Sequence, residues 1–378
     1  MTRAEQSNSM SIRKVLFWFH LIVGCSAAIF IFLMSITGGL LTYERQMIKA
    51  GQQADYPIIA ADAKRLSLTE IKSIASTYPV ERSLSITLLN EDNAPVVIRD
   101  GRRTLAYLHP VTGEKLAEPG KGSTLFWRKL RAFHRWLTFD GSFSEGGRWV
   151  NGIANAIFVL LAITGVYLWL PKRFNRRAFK KQLTLPGNYT STKARDYQWH
   201  NVFGIYLTPV LFVLASTALF FSFDWPGDGL KKVVSTETVR ELAKPTPLEF
   251  SLAAQVKSTD IQIAALKSAY PDWQSIRFSV AKVPQNVSIY TVDNGNGGEP
   301  TKRLSVAVDN LTGEIADTSG FDDYSTYRKI RNWVRFAHTG EYYGVVGQTI
   351  AGIASFLACL LVYTGIMLSW RRWKNRKK

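Results

Sequence analysis

The chain has 378 residues, 46% of them hydrophobic, and its 47 Lys and Arg against 29 Asp and Glu give a formal net charge of +18. Length alone admits two or more soluble domains, but the apolar residues are gathered into long charge-free stretches, and the basic residues flank those stretches in a way that argues for a membrane surface and against nucleic acid. Cys25 and Cys359, each inside such a stretch, argue against a structural disulfide and cannot alone build a zinc or iron–sulfur site.

In chain order, residues 1–14 form a basic N-terminal segment with Arg3, Arg13 and Lys14. Residues 15–43 then hold no Asp, Glu, Lys or Arg, and the same is true of 149–170, 197–223 and 342–370. A helix needs about 20 residues to cross roughly 30 Å of hydrocarbon, so the sequence predicts four transmembrane helices. The first is expected to stay as an anchor, because its apolar stretch is about twice a signal-peptide core and no small-residue cleavage site precedes Tyr43-Glu44-Arg45.

Between the first two spans, residues 44–148 predict an α+β unit. It has a helix at Leu68–Tyr78, strands at Leu84–Leu89, Val96–Arg99 and Thr104–His109, and a turn at Pro110-Val111-Thr112-Gly113. A pre-span segment with Arg128, Lys129, Arg131, His134 and Arg135 follows. Residues 171–196 make a short basic loop with Lys172, Arg173, Arg176, Arg177, Lys180 and Lys181. Residues 224–341 repeat the first pattern, with a helix at Thr259–Tyr270, strands at Ser275–Val280, Val287–Val292 and Leu304–Val308, and a turn at Asn310-Leu311-Thr312-Gly313. Both helices end in Tyr-Pro, and proline cannot readily continue a helix. Arg328, Lys329, Arg331, Arg335 and His338 precede the last span, and the tail at 371–378 carries Arg371, Arg372, Lys374, Arg376, Lys377 and Lys378. The positive-inside rule places both termini and the middle loop in the cytoplasm and the two long segments on the other side. Gly295-Asn296-Gly297-Gly298 lacks a strand feeding a helix, so it is a hairpin loop and no nucleotide fingerprint.

The chain is predicted to be a tandem repeat. An offset of 180 lays His20 on His200, Gly24 on Gly204 and Thr37 on Thr217; an offset of 200 lays Gly152-Ile153-Ala154 on Gly352-Ile353-Ala354 and Thr164-Gly165 on Thr364-Gly365. Halves with an even number of spans insert in one orientation, related by an axis normal to the membrane. That symmetry sets His20 beside His200 at the inner face and His134 beside His338 at the outer face. A histidine near lipid needs a partner, and two facing pairs suit bis-imidazole ligation of two b-type haems, a six-coordinate arrangement fitted to electron transfer. Zinc is a poorer match, since each face supplies two histidines and no cysteine pair. Arg131, Arg135, Arg331 and Arg335 are placed to meet haem propionates, an anionic substrate or lipid phosphates. His109, beside a proline at a strand end, reads as an exposed loop residue. The aromatics around the four histidines read mainly as an interfacial belt.

The closing H/D-x-x-T-G-E turn, His109–Glu114 and Asp309–Glu314, joins spans that end like Thr164-Gly165-Val166-Tyr167-Leu168-Trp169. This combination resembles the PepSY-associated transmembrane family from about Lys14 to Arg372. The resemblance implies two periplasmic α+β PepSY-like domains, an iron-regulated bacterial inner-membrane protein, and a di-haem reductase of ferric siderophores with His20, His200, His134 and His338 as ligands. Electrons would then come from a cytoplasmic reductase or membrane quinol. Two alternatives stand beside it. A PepSY-type binding or regulatory module would tolerate alanine at the four histidines. A siderophore or haem permease would favour polar mid-span residues, where the chain offers only hydroxyls such as Ser35, Thr37, Thr164 and Thr364. The third span departs from the pattern with Ser216-Thr217-Ala218 in place of Thr-Gly.

Overall fold

The computed structural model describes residues 11–375; Arg3, Arg376, Lys377 and Lys378 lie outside the described residues. Helix α1 (Ile12–Leu41) leads into α2 (Glu44–Gln53) and α3 (Leu68–Ser76), then strands β1 (Leu84–Leu89), β2 (Val96–Asp100), β3 (Arg103–Leu108) and β4 (Lys115–Leu116). Next come α4 (Lys121–Trp136), α5 (Ser144–Trp169), α6 (Arg176–Leu183), α7 (Thr192–Ser222), α8 (Trp225–Val233), α9 (Phe250–Ala253) and α10 (Thr259–Ala269). Strands β5 (Ser275–Ser279), β6 (Val287–Asp293), β7 (Arg303–Asp309) and β8 (Ile315–Ser319) follow, and α11 (Thr326–His338) and α12 (Gly344–Lys374) complete the chain. The chain forms two compact units: a helical one of the residues up to Tyr43, Arg128–Leu230 and Ala337 onward, and a sheet unit of Glu44–Trp127 and Lys231–Phe336.

In the helical unit, α1, α5, α7 and α12 are long and apolar enough to cross a membrane. They start earlier or run later than the charge-free windows, because polar flanks extend the helices; Ser191 caps α7 by accepting from Ala194 N at 3.2 Å. Both α1 and α7 pack against α5 and α12, so the spans neighbour one another in the order α1, α5, α7, α12, with α1 across from α7. Glycines permit the closest approaches: a Cβ on Gly152 would stand 2.8 Å from Ser222 Cβ, and one on Gly352 would stand 2.8 Å from Thr42 Oγ1.

The sheet unit builds one eight-stranded antiparallel sheet in the order β4-β3-β2-β1-β5-β6-β7-β8. Alternate residues fill one face: Ile86 in β1, Ile98 in β2, Leu108 in β3, Ile276 and Phe278 in β5, Val292 in β6, and Val306 and Val308 in β7. Helices α3 and α10 cover that face with Leu68, Ile71, Ala75, Ile263 and Leu266. A capping box starts α3, with Ser67 accepting from Glu70 N while the Glu70 carboxylate accepts from Ser67 N. The two α+β units suggested by the sequence therefore do not stand apart. β1 pairs antiparallel with β5, Ile86 opposite Phe278 and Leu88 opposite Ile276, which closes two edges that would otherwise expose unpaired backbone. The short strands β4 and β8, which the sequence pattern omits, extend each outer flank.

The Thr-Gly-Glu motif is the hairpin turn between β3 and β4 and between β7 and β8. Gly113 and Gly313 adopt φ of +74° and +81°, and their N–H groups donate to the carbonyls of His109 and Asp309 at 2.9 and 2.8 Å. His109 is half-buried, not the exposed loop residue expected, because its Nδ1 accepts from Val111 N and Thr112 N at 3.2 Å each. Asp309 Oδ1 does the same work, accepting from Leu311 N and Thr312 N at 2.8 and 2.9 Å. The shared sheet predicts that Ile276→Ala, which empties a fully buried site at the joint, lowers stability by about 2–5 kcal/mol. The check is a reduced urea midpoint with amide-exchange protection lost in β1 as well as β5; loss confined to β5 would mean the halves fold apart.

Candidate functional site

Four imidazoles come together as two pairs inside the helical unit. His20 on α1 faces His200 on α7, with ring centroids 6.5 Å apart and planes at 88°. His134, near the end of α4, faces His338, the last residue of α11, at 6.4 Å and 47°. The expected partners are thus the observed neighbours. The same seventeen-residue interval separates His20 from Thr37 on α1 and His200 from Thr217 on α7. Thr37 and Thr217 contact His134 and His338, so the two pairs sit at opposite ends of the bundle, separated by roughly 25 Å of helix rise.

Each imidazole is tied through Nδ1 to a threonine on another helix. His20 meets Thr164 of α5 at 2.9 Å and His200 meets Thr364 of α12 at 3.0 Å. His134 meets Thr37 at 2.8 Å and His338 meets Thr217 at 3.1 Å. The glycine after the threonine makes room for the ring: a Cβ on Gly38, Gly165 or Gly365 would stand 3.3, 3.4 and 3.4 Å from Cε1 of His134, His20 and His200. Three of the four sites are therefore Thr-Gly steps. In α7 the step is Thr217-Ala218, and there His338 Nδ1 also lies 3.0 Å from the Leu214 carbonyl. The departure in the third span leaves the threonine contact intact.

The connectors after α4 and α11 differ in length, yet both turn through left-handed backbone, at Leu137 with φ +57° and at Gly340 with φ +74°. Tight approaches follow: a Cβ on Gly147 would overlap the Trp136 carbonyl at 1.7 Å, and one on Gly347 would reach the Gly340 carbonyl at 2.4 Å. Asp140 braces the first connector. Hydrogen bonds from the Ser142 side chain and backbone and from Thr138 hold its carboxyl down at about 2. Asn151 of α5, almost fully buried, donates to the His134 carbonyl at 2.8 Å and fixes the end of α4.

The four arginines separate into two kinds. Arg131 and Arg335 each precede a histidine by three residues, one helical turn away on a shared face. Arg135 follows His134 directly and stacks over Trp136 at 4.9 Å, while Arg331 lies over Tyr327 at 5.9 Å. All four are exposed. Arg335 also covers Phe336 at 5.2 Å.

Sequence reasoning missed a buried charge beside one pair. Asp196, fully buried one turn ahead of His200, receives Arg371 Nη1 at 2.5 Å and Arg195 Nη2 at 3.0 Å. By sequence it falls in the basic loop 171–196, because the charge-free window opens one residue later; the signal is an acidic residue set directly against an apolar run. A buried carboxylate left with neither partner is strongly destabilising, so Arg371→Ala together with Arg195→Ala is expected to cost about 3–5 kcal/mol, whereas Arg371→Met together with Asp196→Leu should cost less. Thermal melting in detergent reads the difference, and equal losses in the two variants would contradict it.

The model of the PepSY-associated TM region matches residues 17–372. A comparison with curated proteins gave no match. The match takes in all of α5 and α7, most of α1 and α12, both pairs of imidazoles and the whole sheet, and the chain belongs to the family of the PepSY-associated TM region.

Proposed function

We propose that this membrane protein carries electrons through two b-type haems, one between His20 and His200 and one between His134 and His338, and reduces ferric siderophore. The spacing of the rings is the observation that supports it most. A direct N–H···N hydrogen bond of about 2.9 Å between two imidazoles would bring their centres to roughly 5.3 Å. Two metal–nitrogen bonds of about 2.0 Å, with about 1.2 Å from each nitrogen to its ring centre, span roughly 6.4 Å. The observed 6.4 and 6.5 Å match the second and exceed the first. Among the described residues no cluster of three or more His, Cys, Asp or Glu offers a fuller ligand set, so each site supplies two nitrogens, which suits a metal whose equatorial positions are filled by its own macrocycle. A Cβ on Gly204, one turn after His200, would meet nothing within 4 Å, which leaves space beside that pair.

A haem with two imidazole ligands supplies one-electron transfer. The chain's own residues hold the rings, fix their separation and keep the two sites at opposite ends of the bundle. One electron per Fe(III) suffices for release, because Fe(II) binds hard oxygen ligands far more weakly. A quinol or a cytoplasmic reductase supplies that electron. In this reading the protein lies in the bacterial inner membrane with both termini cytoplasmic, the chain is a tandem repeat, and the sheet unit faces the periplasm, where the exposed Arg131 and Arg335 lie on the side from which an anionic chelate approaches.

Purified protein is expected to show a Soret band that shifts on dithionite addition, with two haems per chain, falling to about one in His20→Ala and in His134→Ala. Dithionite-reduced protein should be reoxidised by a ferric hydroxamate, and His134→Ala should lose that step. Protein without a Soret band, or histidine variants that keep both haems, would rule this function out.

A further inference from the structure

We propose that Thr37, Thr164, Thr217 and Thr364 are positioning residues that set the tautomer of the four imidazoles, each accepting a hydrogen bond from Nδ1–H and so keeping Nε2 as a bare lone pair for a metal. The identity of that metal as haem iron rests on the function proposed above; the tautomer assignment stands on the hydrogen bonds alone.

A threonine hydroxyl has one proton to donate and lone pairs with which to accept. In all four cases the carbonyl four residues earlier takes the proton: Leu33 from Thr37 at 2.6 Å, Leu160 from Thr164 at 2.7 Å, Val213 from Thr217 at 2.6 Å and Leu360 from Thr364 at 2.9 Å. Threonines inside helices commonly bond backward in this way. With its proton committed there, Oγ1 can only accept from the imidazole, so Nδ1 must carry the hydrogen. His338 gives an independent check, because its Nδ1 also faces the Leu214 carbonyl at 3.0 Å, a group with nothing to donate. A neutral imidazole has one N–H, which leaves Nε2 unprotonated in every ring. A hydrogen bond from the far nitrogen also orients a ligating ring and raises its basicity. The glycine after three of the threonines fits this role, since it lets Cε1 lie close enough for the Nδ1 contact to form.

His109 supplies an internal contrast. Its Nδ1 accepts from two backbone N–H groups, so its proton lies on Nε2. The fifth histidine is therefore the opposite tautomer from the other four.

The test uses the full chain labelled with [15N]histidine, prepared without haem in detergent at neutral pH. Nitrogen NMR should show four Nδ1–H imidazoles and one Nε2–H imidazole. Thr164→Val should remove the Nδ1–H preference of His20, and Thr164→Ser should restore it. Thr217→Val should change less than Thr164→Val, since Leu214 remains as acceptor. In haem-loaded protein, Thr164→Val should weaken haem retention about 10–100-fold and raise the midpoint potential of that centre alone, because a less basic ligand favours Fe(II); Thr164→Ser should stay near the parent. A ring among the four that protonates on Nε2, or valine and serine variants that behave alike, would overturn the proposal. Haem-free protein that never binds haem yet keeps the four-to-one pattern would remove the haem reading and leave the tautomer assignment supported. Haem-loaded protein indifferent to Thr164→Val would do the reverse.

Discussion

An imidazole inside an apolar helix bundle has to find hydrogen-bond partners within the bundle, since water is not there to supply them. In this chain that constraint is met by four crossings from one helix to another. α1 reaches α5 through His20, α7 reaches α12 through His200, and the ends of α4 and α11 reach back to α1 and α7 through His134 and His338. Each contact spans adjacent helices, so the polar groups tie together a bundle whose remaining contacts are largely apolar and weakly directional. The small residues at Gly38, Gly165 and Gly365 follow from the same need, because a ring cannot reach its hydroxyl past a side chain.

Several other polar contacts of the helical unit brace the segments that carry those rings. Asp196 is paired by Arg371 and Arg195 one turn from His200, Asn151 secures the last turn of α4, and Asp140 braces the turn into α5. Arg13 donates to the carbonyls of Leu168 and Leu170 at 2.6 and 2.9 Å, closing the end of the helix that carries Thr164. Together these contacts limit how far the rings can drift.

Much of this was legible in the sequence, and the parts that were not have physical reasons. The four spans follow from unbroken apolar runs, and β1 follows from Leu84, Ile86 and Leu88 alternating with Ser85 and Thr87. The histidine pairing is the one that the sequence offsets suggest. β4 and β8 escaped notice because two residues, Lys115 and Leu116, carry no periodicity and Ile315–Ser319 is mostly polar. The β1–β5 joint left no local trace, since strand pairing across almost two hundred residues is written in no single window. Thr164 and Thr364 were visible as repeated letters, yet their service to histidines on other helices needs the packing to be seen. His109 and Asp309 differ in type, yet each satisfies an equivalent pair of backbone donors.

The joint between β1 and β5 has a consequence for how the protein is made. Ser275 begins the strand that completes β1, and it leaves the ribosome long after Leu89. At about 5–20 residues per second, that delay is on the order of ten seconds or longer. Throughout it the first four strands present a bare edge, open to pairing with another nascent copy. Biogenesis of this molecule therefore carries a window of vulnerability set by chain order, and a holding chaperone or slow release from the insertion machinery would be felt at that edge before anywhere else.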